Sequence, residues 1–193
     1  MYIDLAKELI NQYGSLIAII FHESLEMWQQ ITNLDEVDHK NRTRSNFIWD
    51  TVIHKLRSEL VNDTNFYFPN RNGTTFILYK QTFLIRIKKL GKSGRPAYIK
   101  TQQAEKFQNQ LDLGFGDCVN VYLNYSLDTF GIFIDSIKLQ CENGNSILWS
   151  FLIDNSLDIN PPDLFFPNQD PPTNKRVRVK DSQKQEHQNE KTI

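Results

Sequence analysis

Over the first sixty residues the apolar positions recur at helical spacing. Ile3, Leu5, Leu9 and Ile10 form one series, and Gly14 with Ser15 interrupts it. Ser15 suits the N-cap of a second helix through Gln30, with Ile17, Ile20, Phe21, Leu25 and Trp28 on its apolar side. A polar link, Thr32–Asn46, comes next. The spacing predicts a third helix over about Ser45–Val61 that buries Phe47, Ile48, Val52, Ile53, Leu56 and Leu60, with Trp49 off the centre of the stripe.

The period then changes from 3.6 to 2. Asn65–Phe68 reads as a short strand, Pro69–Gly73 as a turn whose Asn-Gly pair supplies positive φ, and Thr74–Tyr79 as the returning strand. Lys80-Gln81 marks a second tight turn or a bend. In Thr82–Leu90, Phe83, Ile85 and Ile87 alternate with Leu84, Arg86 and Lys88. Gly91 and Gly94 break that strand, and Thr101 caps a helix to about Gln110 with Ala104, Phe107 and Leu111 inward. Further on, Val119, Val121, Leu123 and Tyr125 alternate with Asn120, Tyr122 and Asn124, which predicts a strand with one wet face. Gly131–Cys141 and Ser146–Ile153 form a hairpin around Asn143-Gly144, with Ile147, Trp149, Phe151 and Ile153 sharing a face. The expected fold class is α+β: an N-terminal helical layer packed on an antiparallel sheet of about five or six strands with one intervening helix. No repeat of solenoid period is present.

Composition extends this picture at the C-terminus. Pro161, Pro162, Pro167, Pro171 and Pro172 close the apolar part, and the residues beyond them are polar. The expected organisation is one domain over 1–166, helical in 1–62 and sheet-rich in 63–166, with a disordered tail over 167–193. The tail carries the basic run NKRVRVK, which reads as a solubilising segment or a contact for nucleic acid or a partner. The chain is 39% hydrophobic and 12% aromatic, enough for a packed core. The start lacks a basic n-region, and Leu16–Phe21 is too short to span a bilayer. The two cysteines, Cys118 and Cys141, have neither metal-ligand spacing nor the number for a disulfide framework. A cytoplasmic, reduced protein without membrane contact, metal or other cofactor is expected.

Charge is distributed unevenly. The net charge is −1, yet Arg71–Lys106 holds nine cations against Glu105 alone, and Phe107–Asp170 holds nine acids against Lys138 alone. The halves either neutralise each other or leave a basic surface. The candidate surface runs over Arg71, Lys80, Arg86, Lys88, Lys89, Lys92, Arg95 and Lys100, with Tyr98 as a stacking face. A phosphate backbone would reward such a cluster through counterion release, and an acidic protein would complement it equally well.

Catalytic patterns are incomplete. Gly91-Lys92-Ser93-Gly94 lacks the glycine of a phosphate loop, since Arg86 stands five residues before the Gly-Lys pair. His22 and Glu26 share a helical face, but a zincin needs a second histidine one turn on. A metal-dependent nuclease would want an acid at Arg86, ahead of Lys88, with Glu59 and Asp63 as further acids. Ser126, Ser136 and Ser150 have no elbow motif and no histidine in the second half of the chain before His187.

The segment KKLGKSGRPAYIKTQQAEKFQNQ, the hairpin after it, and the close made by Cys141, Asn143, Gly144 and Trp149 resemble a group of small uncharacterised bacterial proteins of mobile-element and toxin–antitoxin-type neighbourhoods. The resemblance spans about residues 45–153. It implies an accessory or regulatory role, antitoxin-like or within a mobile-element or defence system, and carries no catalytic residue. The expected function is therefore a non-catalytic interaction or regulatory protein that uses the basic hairpin–turn–helix surface. The alternatives are a nucleic-acid-binding module and a divalent-metal-dependent nuclease.

Overall fold

In the computed structural model, which describes residues 2–34, 39–71, 73–91, 107, 116–143 and 146–153, the N-terminal apolar series forms two helices, not three. Helix α1 runs unbroken from Tyr2 to Leu34, and α2 covers Asn41–Glu59. Gly14 does not end a helix. A Cβ there would stand 3.4 Å from Ile10 and 3.5 Å from Ile153, so this position lets the helix approach Ile153 closely. An internal glycine costs about 1 kcal/mol relative to alanine. Burial of Ala6, Leu9, Ile17, Ala18, Ile20 and Phe21 along the same helix offsets that cost. Ser15 is consequently an exposed interior residue and caps nothing. In α2 the stripe Ile48, Val52, Ile53, Leu56 is buried as its spacing requires, with Leu60 just beyond and Phe47 and Trp49 packed at its margin.

Eight strands come after the helices among the described residues: β1 (Phe66–Tyr67), β2 (Asn70–Arg71), β3 (Thr74–Thr75), β4 (Ile77–Tyr79), β5 (Phe83–Lys89), β6 (Val119–Leu127), β7 (Ile134–Asn143) and β8 (Ser146–Leu152). Six of them make one sheet in the order β1-β4-β5-β6-β7-β8, and β2 with β3 makes a separate small hairpin closed by Gly73 at φ +74°. The architecture is α+β. Lys80 and Gln81 do form a tight turn between β4 and β5, with φ of 46° and 50° and the Thr82 amide donating to the Tyr79 carbonyl at 2.9 Å.

Four of the five junctions in the large sheet are antiparallel. The fifth pairs β5 with β6 in parallel, from Phe83↔Val119 to Lys89↔Tyr125, so the sheet is mixed and not wholly antiparallel as expected. Parallel neighbours need a crossover of a dozen or more residues, and residues 90–118 supply the length. Phe107, helical and 0% exposed, lies within that crossover.

This junction decides how the sheet is buried. On the inner face Ile77, Tyr79, Phe83, Ile85, Ile87, Val121, Leu123, Tyr125, Ile137 and Leu139 pack with the helices in the main core. On the outer face Phe76, Leu84, Phe107, Cys118 and Tyr122 form a second cluster. Phe107 stacks on Phe76 at 5.7 Å and meets Tyr122 edge-on at 5.2 Å. Asn120, Tyr122 and Asn124 are buried, and the wet face expected of this strand does not exist. Sheets with parallel pairs are usually covered on both faces, and here Phe107 packs on this one.

The β7–β8 hairpin pairs Asn143 with Ser146, so Asn143 belongs to the strand and not to the turn expected at Asn143-Gly144. A register shift at Cys141/Glu142 then sets Ile147 opposite Glu142. Ile147 leaves the inner face and is 46% exposed, whereas Trp149, Phe151 and Ile153 stay against the core. All described residues belong to one compact unit, 1–158. The expected tail over 167–193 and the capped helix from Thr101, apart from Phe107, lie outside the described residues.

Candidate functional site

The basic residues singled out in the sequence go to different places. Arg71 lies exposed on β2, where it is engaged by another group. Lys80, at the β4–β5 turn, is held by Glu8 of α1 at 2.5 Å, and that contact raises its pKa. Lys89 shares the inner-face register of Tyr125 and sits half-buried near Arg44, where burial and then the Arg44 charge lower its pKa. Lys92, Arg95, Tyr98 and Lys100 lie outside the described residues. Arg86 and Lys88 remain together on the outer face.

The alternation of β5 puts both side chains on the side opposite Ile85 and Ile87. Arg86 extends over the ring of Phe107, with its guanidinium carbon 5.7 Å from the ring centre. Burial lowers its pKa, and Tyr122 acts in the opposite sense. Lys88 is one step further along the strand. Burial, and then the Arg86 charge, bring its ammonium down to about 8.

The register extends this row across the sheet. Lys88 pairs with Asn124, and Asn124 pairs with Lys138. At the usual strand spacing the two lysine backbones stand about 10 Å apart with Asn124 between them. Asn124 is 0% exposed, yet neither its Nδ2 nor its Oδ1 has a partner. Two rows back, Asn120 donates from Nδ2 to the Phe107 carbonyl, while its Oδ1 is also unpartnered. The carboxylates at the margins are engaged otherwise. Glu142 accepts from Gln140 Nε2 at 2.5 Å, and Asp135 accepts from Ser126 Oγ at 3.0 Å. Among the described residues no carboxylate pairs with Arg86, Lys88 or Lys138.

Lys138 and the two asparagines were not singled out from the sequence. Lys138 is the lone cation of an acidic half, so charge counting placed it with the wrong neighbours. The asparagines carried a signal, a polar period-2 series, but it fits water as well as a built site. Only the strand partners distinguish the two.

The other constellations are not assembled. Asp63 accepts from the Tyr13 hydroxyl at 2.5 Å and from the Asn65 amide at 2.9 Å, contacts that hold its carboxyl below the usual range. Tyr13 packs on Phe66 and Tyr79, so Asp63 belongs to the helix side of the sheet while Lys88 is on the other. Glu59 ends α2, exposed. His22 is half-buried on α1, and its pKa is lowered by burial against the pull of Glu26. Ser126 and Ser136 share a hydrogen bond of 2.8 Å. Cys118 and Cys141 are not joined in a disulfide, and burial raises both thiols. Among the described residues no group of three metal-ligating side chains converges, and no helix is long and apolar enough to cross a membrane.

A second surface feature stands at the far end of the sheet. The carboxylate of Asp128 accepts from the amides of Phe130, Ile132 and Phe133 at 3.0, 2.6 and 2.8 Å. This fan holds a loop that presents Phe130 at 80% exposure, beside exposed Ile132 and Phe133. Comparison of the chain with protein-family models, with curated proteins and with solved structures finds no match.

Proposed function

We propose that this chain is a non-catalytic interaction protein, a regulator or accessory factor that takes an anionic group of a protein partner against the outer face of its sheet. The observation that carries this reading is the set of three cations, Arg86, Lys88 and Lys138, on one face without a carboxylate partner among the described residues. Half-buried charge without a partner costs stability, and a binding site accounts for its retention. A protein partner fits better than a nucleic-acid backbone. Phosphodiester tracks favour spread, exposed cations, whereas these are recessed and Lys88 is partly desolvated. The aromatic loop at Phe130 adds the kind of anchor that protein interfaces use. The resemblance to mobile-element and toxin–antitoxin neighbourhoods supports an antitoxin-like or accessory setting.

The test is affinity capture from the native host, with the captured protein identified and its binding measured for wild type, Lys88→Gln and Lys138→Gln. Loss of affinity in both variants, with an unchanged circular dichroism spectrum, is the expected result. Equal binding by all three chains would overturn the proposal. Binding of DNA or RNA that falls steeply with salt would favour the nucleic-acid reading instead.

A further inference from the structure

We infer that Lys88, Asn124 and Lys138, with Arg86 beside them, form a site for a phosphate monoester, the group by which a partner would be recognised. This rests on the interaction reading above and sharpens it. The central observation is Asn124. Its side chain is entirely buried on a central strand of the sheet, and both amide atoms lack a partner. An unpaired buried amide costs more than an apolar side chain of the same shape. Leucine in this place would make a more stable protein, so the amide is retained against stability. Its two neighbours in the row are both lysines, one on each flanking strand.

The chemistry of that row is specific. Asn124 Nδ2 offers two N–H donors, and each ammonium offers three. Lysine carries its charge on a flexible four-carbon stem, so both flanking side chains can swing over a group seated at Asn124. Arg86 stands two residues from Lys88 on the same face and adds a guanidinium. Three positive charges without a carboxylate partner among the described residues exceed what one carboxylate balances. A phosphate monoester carries about one and a half to two negative charges near pH 7 and three acceptor oxygens. A phosphorylated side chain of a protein partner provides this group; free inorganic phosphate shares its chemistry.

The full chain is titrated with inorganic phosphate, and in parallel with acetate, while the side-chain amide signal of Asn124 and the Lys88 methylene signals are followed by NMR. Saturable shifts with phosphate and none with acetate are expected, with Lys88 gaining basicity as the anion binds. Lys88→Met and Lys138→Met should each weaken phosphate roughly tenfold or more. Asn124→Leu should abolish the response while unfolding at a higher denaturant concentration than wild type, which separates loss of the site from loss of the fold. Equal responses to phosphate and acetate, or shifts unaffected by these substitutions, would overturn the assignment. If phosphate leaves the signals unmoved while Lys88→Gln still abolishes partner capture, the phosphate site is wrong and the interaction reading stands. If neither depends on these residues, both are wrong.

Discussion

Lys88 shows how a single residue reports its surroundings. Its ammonium is held at about 8, below the ordinary lysine value of 10.5, so the folded protein disfavours the charged form. The cost is therefore full below pH 8, and it is relieved as pH rises from 8 towards 10.5, where the unfolded chain still binds the proton. Lys88→Met should stabilise the protein at pH 7 by about 1 kcal/mol, less than the full shift implies because solvent screens the exposed remainder. Urea midpoints at pH 7 and about pH 10.5 would check it: the gain should be present at the first and absent at the second. Asp63 has the opposite sign. Its carboxyl is lowered by the Tyr13 hydroxyl, so that contact stabilises above the ordinary carboxylate pKa and is lost as pH falls. Tyr13→Phe should cost about 1 kcal/mol at pH 7. The same denaturant series should show the difference between the two proteins shrinking as pH falls below the ordinary carboxylate pKa. Nothing in the residue types told Lys88 from Lys89; only their alternation on one strand did, and the sequence showed that alternation clearly.

At the scale of elements, two glycines do different work. Gly14 sits inside α1 with room for one methyl group, 3.4 Å from Ile10 and 3.5 Å from Ile153. Gly14→Ala should raise the thermal midpoint through helix propensity, worth up to about 1 kcal/mol. Gly14→Leu should lower it by pushing Ile153 off the helix, and the sign reversal between the two tests the notch. Gly131 has φ +73°, and a Cβ there would fall on the Arg44 guanidinium. That guanidinium donates from Nη1 to the Gly131 carbonyl at 3.0 Å and from Nη2 to Asn41 at 2.8 Å, so it is not free to move aside. Gly131→Ala should therefore cost about 2 kcal/mol or more, read as a drop in denaturant midpoint. In the sequence Gly14 looked like a helix break. A glycine reads the same whether it ends a helix or admits a neighbour, because the neighbour, Ile153, is 139 positions away. The same limit explains Ile147: its alternation with Trp149 was legible, but the register shift at Cys141/Glu142 that turns it outward is a property of the pair.

At the scale of the molecule, the sheet is packed on both faces, by the helices on one and by Phe107 on the other. Phe107 touches Phe76, Tyr122 and Arg86. Phe107→Ala should cost about 3 kcal/mol. It should also admit water to the outer face and return Lys88 towards 10.5, measurable by NMR titration; an unmoved Lys88 would show that the Phe107 ring is not what desolvates it. The sequence by itself determined the element types, the inner apolar faces, the Asn-Gly hairpin and the α+β class, because each depends on spacing within one segment. Tertiary structure alone decided that β5 and β6 run parallel, that the asparagine face of β6 is dry, and that the cations divide between two faces with Lys138 joining Arg86 and Lys88. Those outcomes depend on which distant strand lies alongside and what covers the pair, and period 2 is the same for every choice of neighbour.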